Sequence, residues 1–408
     1  MPARILMAVV CLVPALAQRY DLVLAGGQVI DPANQLNSVA DVAVAGGRIA
    51  LVANSIPRAE TRKWVDVSGL YVTPGLIDLH AHVYGYSGWL LPDDTALVTG
   101  ATTVVDAGGA GWKTFDDFKT SILDRSATRV LVWLNIVGRG MLGGAVENNP
   151  DDMDPQATAA KIRQHPEWIV GIKTAHFSRA GWTAIDRAVE AGRLSSTPVI
   201  VDSGILTSSG RNTREKLLDR LRSGDLHTHT YNDRQLELLD RFTGRVQDYA
   251  REARRRGVLF DMGHGGGSFL WPVATRAMAQ GFPPDTISTD LHSSSILIPQ
   301  SDMPNCMSKL MELGMKLEEA VERATVNPAK AIRRFPELGT LGAGRAGDIA
   351  VLRLRSGVFA FKDAWSKKLL GRRKLECVLT VRGGRIVYDQ EGLSWPVWST
   401  AGDYEVIP

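Results

Sequence analysis

The sequence predicts an α/β protein built on a (β/α)8 barrel, with a small β-sandwich domain made from both chain ends. Three observations carry this. The middle of the chain alternates apolar strand-like runs with helix-like segments. There are eight such units over about 260 residues, the number and length of a (β/α)8 barrel. The two ends share a different texture: short runs rich in Val with Gly turns.

Size and composition fit that architecture. The chain has 408 residues, 44% apolar and 22% charged, which is globular composition. Lys and Arg total 47 against 44 Asp and Glu, a net charge of +3, which argues against a dedicated nucleic-acid binder. Three cysteines exclude a disulfide-rich scaffold and a four-cysteine zinc site. No GxxxxGK[ST] and no GxSxG occurs, which removes the main signals for a nucleotide enzyme and a serine hydrolase.

The elements follow in order. Residues 1–17 carry Arg4, an apolar stretch from Ile5 to Val13, and the small-x-small pattern Ala15-Leu16-Ala17. This reads as a signal peptide cut before Gln18, and hence as an exported, periplasmic or secreted protein. No other segment is long and apolar enough to cross a membrane, so no membrane partner is expected. Residues 18–72 and 337–408 are assigned to the small β domain, as in YDLVLAGGQVID, GDIAVLRL and LECVLTVRGGRIVYD. Residues 73–336 are assigned to the barrel. Its strands are expected at 75–82, 101–109, 129–138, 168–176, 197–204, 225–231, 257–265 and 285–292. Helices are expected at 155–165, 181–193, 234–256 and 272–280. The basic runs at 251–256 and 367–374 read as solvated faces.

Barrel enzymes place their chemistry at the C-terminal ends of the strands. Seven of the eight histidines fall at or just after an expected strand end: His80, His82, His176, His227, His229, His264 and His292. Histidine is the commonest metal ligand. In His80-Ala81-His82 alternate residues share one side of a strand, so both imidazoles can grip one cation at the barrel mouth.

Several motifs together resemble the amidohydrolase superfamily of metal-dependent hydrolases. They are VTPGLIDLHAH, GATTVVDAGGAG, VGIKT, HGGGSF, PDTISTDLH and NPAKAI…LGTLGAGRAGDIAVL. Within it the chain is most similar to the deacetylase-type branch, related in layout to dihydroorotases. The resemblance implies a centre of two divalent metal ions, often zinc, that makes hydroxide for attack on an acyl carbon. It implies His80 and His82 as ligands of the more buried metal. It implies Lys173 as a bridging lysine carrying carbon dioxide as a carbamate, His229 as a second-metal ligand, and Asp290 as both ligand and general base and acid. It places His264 against substrate, His176 and His292 behind the ligands, and His227 either behind them or as an alternative ligand. At the strand 5 position the family has histidine and this chain has Asp202. Three alternatives stay open there: Asp202 is a ligand, with manganese then favoured as a harder metal; the second metal is lost; or His176 fills in from strand 4.

The function expected is hydrolysis of an amide or ester acyl bond in a small-molecule substrate, such as an N-acyl amino acid or O-acyl hydroxy acid. Arg139 and Arg179 lie in post-strand loops and are expected to hold a substrate carboxylate. Trp89, Trp112, Trp182 and Trp271 also follow strand ends and would favour a partly apolar substrate. The rival readings are a cyclic amidohydrolase using the same centre and a non-catalytic barrel kept as a binding module. Homo-oligomers are common in the family, so a homo-oligomer is expected.

Overall fold

The computed structural model describes residues 18–179, 181–202, 214–232 and 238–402. The expected signal peptide lies outside the described residues.

Both chain ends enter one eight-stranded sheet. Its path runs β15 (Arg385–Asp389), β14 (Lys368–Arg382), β13 (Ile349–Lys362), β5 (Tyr71–Pro74), β1 (Tyr20–Asp31), β2 (Leu36–Ala45) and β3 (Arg48–Ala53), with β4 (Thr61–Asp66) paired to β1. The join between the two ends is the antiparallel pairing of β13 with β5, from Ile349 opposite Pro74 to Leu352 opposite Tyr71. Alternate residues of these strands, including Val42, Val72, Val351 and Val381, bury one continuous apolar face.

The second sheet is parallel and follows chain order: β6 (Leu76–Ala81), β7 (Ala101–Gly111), β8 (Arg129–Asn135), β9 (Ile169–Thr174), β10 (Val199–Val201), β11 (Leu226–His227) and β12 (Leu259–Phe260). β6, β7 and β9 are buried along their whole length, as expected of strands covered on both faces. Inside the curl, Leu79, Val105, Leu131, Trp133, Val170 and Leu226 pack together. The Trp133 indole donates to the Leu79 carbonyl at 2.8 Å, which satisfies its N–H in the core.

The expected eighth strand, 285–292, is not a regular strand. It closes the curl through two isolated parallel bridges, Thr286 with Asp261 and Leu291 with Ala81. Asp78 secures that closure: it accepts the Thr289 N–H at 3.0 Å and the Thr289 hydroxyl. The result is a TIM-like barrel whose eighth position is held by side chains as much as by a ladder.

Helices Pro155–Gln164, Thr183–Ser195 and Trp271–Ala279 stand close to their expected ranges. The helix expected over 234–256 is corrected to Asp248–Arg255; residues 234–237 lie outside the described residues. Asp240 stops it: its carboxylate accepts the N–H groups of Phe242 and Thr243 and the Thr243 hydroxyl, and Gly244 follows at φ +66°. That is an Asx-type turn, which competes with helix for the same backbone donors. No helix among the described residues is long and apolar enough to cross a membrane.

Candidate metal centre

The C-terminal ends of the parallel strands surround a cavity of about 300 Å³. His80 is the last residue but one of β6 and His82 directly follows the strand, so the two side chains share one side of it. Asp290 comes from the closing segment, where its N–H donates to the His80 carbonyl at 2.6 Å. His80, His82 and Asp290 are buried, and one donor atom from each lies within 4.8 Å of the others. Asp290 Oδ1 is 2.9 Å from His82 Nε2 and 3.5 Å from His80 Nε2. Asp290 holds φ +48°, a left-handed conformation costly for aspartate and frequent at functional sites.

The imidazoles are oriented from behind. The Thr228 hydroxyl donates to Asp261 Oδ2 at 2.7 Å, so it accepts from His80 Nδ1 at 3.0 Å. That places the His80 proton on Nδ1 and leaves the Nε2 lone pair facing Asp290. His229 Nδ1 donates to the Gly263 carbonyl at 2.6 Å, which likewise frees Nε2. Its Nε2 lies 3.3 Å from Asp202 Oδ2 and 4.0 Å from Asp290 Oδ2. Fixing the tautomer through the remote nitrogen is how proteins prepare histidine for a metal. Lys173 is fully buried at the end of β9, with Nζ 3.1 Å from His80 Nε2. Gly108 makes room for it: a Cβ there would sit 2.7 Å from Lys173 Cγ.

The electrostatics favour cations. Burial, then the Lys173 charge, lower His80 to about 3, so that ring is neutral. Burial lowers the Lys173 amine despite the nearby carboxylates. Burial opposes charge on Asp290 and Asp202, but the surrounding histidines outweigh it and hold both carboxyls below their ordinary value. Burial also opposes charge on His229, yet Asp202 and Asp290 raise it to about 9. The field between those two carboxylates therefore stabilises positive charge, and a divalent metal is the chemical species that three inward nitrogens and two carboxylates fit.

The other expected residues divide. His292 lines the cavity, with Nε2 4.0 Å from Asp290 Oδ2 and Nδ1 2.9 Å from the Ser294 hydroxyl. His176 lines it from the β9 side. His227 is fully buried beside the Phe260 ring and does not line it. His264, expected against substrate, turns away from the cavity: Nε2 accepts from the buried Lys309 at 2.7 Å and Nδ1 donates to the Gly265 carbonyl. Arg139 is drawn to Asp152, 3.7 Å away, and Arg179 donates to the Asn148 carbonyl. Neither arginine lines the cavity, and neither do the four tryptophans. Trp182, for example, lies under the Arg220 guanidinium.

Several contributors escape the sequence reading, Thr228 behind His80 among them. Tyr86 stacks on His82 at 4.3 Å and forms part of the wall. Asp261 stands behind His80, and Glu147 behind His176. The signal for Asp261 was a carboxylate inside an apolar strand run, GVLFDMG.

Residues 271–387 match the amidohydrolase family. The chain is 31% identical over 333 residues to Deacetylase Atu3266 of Agrobacterium fabrum, covering 78% of this chain and 79% of that protein. The chain belongs to the amidohydrolase family. It is accordingly a metal-dependent hydrolase of deacetylase type. Among solved structures, an adenine deaminase superimposes with a TM-score of 0.84 at 27% identity, covering 91% of this chain and all of the other. A dihydroorotase does so with 0.79 at 27% identity, covering 90% and 99%.

In this member of the amidohydrolase family the Gly-rich loop after β12 presses on Asp290. A Cβ on Gly265 would lie 2.2 Å from Asp290 Oδ2, and Gly265 holds φ +54°. Gly265→Ala is expected to push the carboxylate off its position and lower kcat by about 10²-fold, the scale of a 1 Å misplacement. Wild-type kcat in steady-state assays would show that Asp290 tolerates the shift.

Proposed function

We propose that this hydrolase removes an acyl group from a small amide or ester, as a deacetylase or aminoacylase does. The observation that carries the reading is the convergence of one donor atom each from His80, His82 and Asp290, with Lys173, Asp202 and His229 beside them. In this reading those six residues hold two divalent cations, zinc or manganese. A divalent cation bound there acidifies water and polarises an acyl oxygen.

The chain's own groups then have definite tasks. Asp290, ionised beside three imidazoles, accepts a proton on its carboxylate and returns it to the leaving nitrogen or oxygen. Gly266 and Gly267 let a ligand approach their backbone, and Asn232, Ser268 and Ser294 give the wall hydrogen-bonding side chains. Lys173 is buried enough for its neutral amine to add carbon dioxide, giving a carbamate and a released proton. A cyclic amidohydrolase is the second reading, favoured by the superposition on a dihydroorotase. Residues 1–17 are proposed to direct export, and the native protein to be a homo-oligomer.

The test is a substrate panel on the metal-loaded chain: N-acetyl amino acids, O-acetyl hydroxy acids, and ring amides of the dihydropyrimidine and hydantoin type. The linear substrates are expected to turn over, to lose turnover on chelation and to regain it with zinc or manganese. ¹³C-labelled bicarbonate is expected to give a carbamate resonance that Lys173→Ala removes. Faster turnover of ring amides would move the assignment to the second reading, and metal-independent turnover would overturn both.

A further inference from the structure

The loop after β12, residues 263–268, serves the metal centre in three ways. The Gly263 carbonyl accepts from His229 Nδ1 at 2.6 Å. Gly265 packs so closely on Asp290 that a Cβ there would lie 2.2 Å from Oδ2. Gly266, Gly267 and Ser268 form part of the cavity wall. Glycine loses more conformational freedom on ordering than any other residue, so a loop of this composition holds one shape only if it is anchored. Part of the anchoring is backbone: the His264 N–H donates to the Ser288 carbonyl at 3.2 Å and the Gly265 N–H to the Thr289 carbonyl at 2.9 Å.

The side-chain anchor is His264. It is fully buried and stacks on Phe269, with ring centres 4.8 Å apart. Burial, then the Lys309 charge, hold it well below its ordinary value, so the ring is neutral. Its Nε2 accepts from Lys309 at 2.7 Å, which puts the proton on Nδ1 and directs it to the Gly265 carbonyl at 2.9 Å.

Lys309 reaches this point from the helix Met303–Glu312 and is itself fully buried. It donates also to the Pro299 carbonyl at 2.9 Å, and its Nζ stands 5.7 Å from the centre of the Phe269 ring. Burial lowers the amine to about 8, so near neutral pH it is mainly an ammonium. Both of its hydrogen-bond acceptors are neutral, and a buried charge held only by neutral groups costs stability. What the ammonium supplies is direction: it selects the His264 tautomer and ties the loop to the helix and to the segment at Pro299.

We propose that Lys309 is a positioning residue for the hydrolysis, acting through His264 to fix the Gly265 peptide and thereby the place of Asp290. The proposal rests on the reading of Asp290 as metal ligand and proton carrier. Lys309 and His264 then work as one device, and removing either member releases the loop.

The experiment uses Lys309→Met on the metal-loaded full chain; the substitution keeps the length of the side chain and removes its donor. With the best acyl substrate kcat is expected to fall about 10–100-fold, up to the scale of a 1 Å misplacement. Thermal unfolding is expected to hold or to rise, because a buried charge is gone. A merely structural lysine would give the reverse: a lower melting point and an unchanged kcat in the folded chain. The visible absorption of the cobalt(II) form is expected to shift, since Asp290 and His229 both lean on the loop. The double variant Lys309→Met with His264→Phe removes donor and acceptor together, a change that costs less than leaving one of them unpaired. It is expected to lose no more kcat than Lys309→Met alone, whereas losses that multiply would show two independent residues and overturn the proposal. The double variant also carries the test should the single one fail to fold. A kcat within about twofold of wild type with an unchanged cobalt band, in either folded variant, would overturn the role of Lys309 and leave the hydrolase reading standing. A wild-type chain without turnover on any acyl or ring-amide substrate would overturn the proposed function, and the cobalt band would still decide the role of Lys309.

Discussion

Asp290→Asn is expected to lower kcat/KM for the best acyl substrate by about 10²–10⁴-fold, the contribution of a positioned proton acceptor. That is about 2.7–5.4 kcal/mol of transition-state stabilisation. The substitution keeps the volume of the side chain and removes its charge. It also turns an amide N–H₂ toward nitrogens that now meet an anionic oxygen: His82 Nε2 at 2.9 Å and His80 Nε2 at 3.5 Å. The backbone role of residue 290 is untouched, because its N–H donates to the His80 carbonyl and its own carbonyl accepts the Ser295 hydroxyl. Thermal unfolding should therefore move little while turnover collapses. Steady-state kinetics paired with a melting curve separates the two effects. Activity within tenfold of wild type would remove Asp290 from the proton transfer.

Much of the barrel is legible in the sequence because its strands are short apolar runs ended by Gly and histidine, a local signal. His80-Ala81-His82 is legible for the same reason: strand alternation alone puts two imidazoles on one side. What escapes is decided by partners far along the chain. Arg139 and Arg179 follow strand ends, but a long cation goes where charge or carbonyls draw it, here Asp152 and Asn148. His264 follows β12 as expected, yet Lys309 lies 45 residues later on the helix Met303–Glu312 and draws its Nε2 away from the cavity. The closing segment 285–292 looks like a strand because Thr286, Ile287 and Thr289 are β-branched. Its ladder is cut to two bridges: the Thr289 N–H goes to Asp78 and the Ile287 N–H to the Arg323 carbonyl, while Asp261 holds the Thr286 and Ser288 hydroxyls. Those carboxylates are single letters in apolar runs, and no periodicity announces what they hold.

Asp261→Ala is expected to have the largest effect on stability, about 3–5 kcal/mol, the scale of removing one partner from a buried charged network. Against a total of about 5–15 kcal/mol that is a large share. Asp261 is fully buried, and its carboxylate accepts three hydroxyls: Thr286 at 2.6 Å, and Thr228 and Ser288 at 2.7 Å each. Burial resists its charge, but His80 and these hydroxyls hold the carboxyl below its ordinary value, so it is ionised in the fold. One side chain just after β12 thus ties the residue after β11 to the closing segment, and through Thr228 fixes His80 on β6. Alanine would leave three buried hydroxyls without their acceptor, each a loss of about 1–3 kcal/mol if nothing else pairs with it. The Thr228 hydroxyl would be free to rotate and donate to His80 Nδ1, which favours the tautomer with its proton on Nε2, toward the cavity. Metal affinity is therefore expected to fall by about 10–100-fold along with stability. Denaturant unfolding and chelator competition, run on the same variant, read the two losses separately. Unchanged unfolding would show that the hydroxyls find other acceptors. Lost stability with unchanged metal affinity would show that the cation itself, rather than Asp261, orients His80.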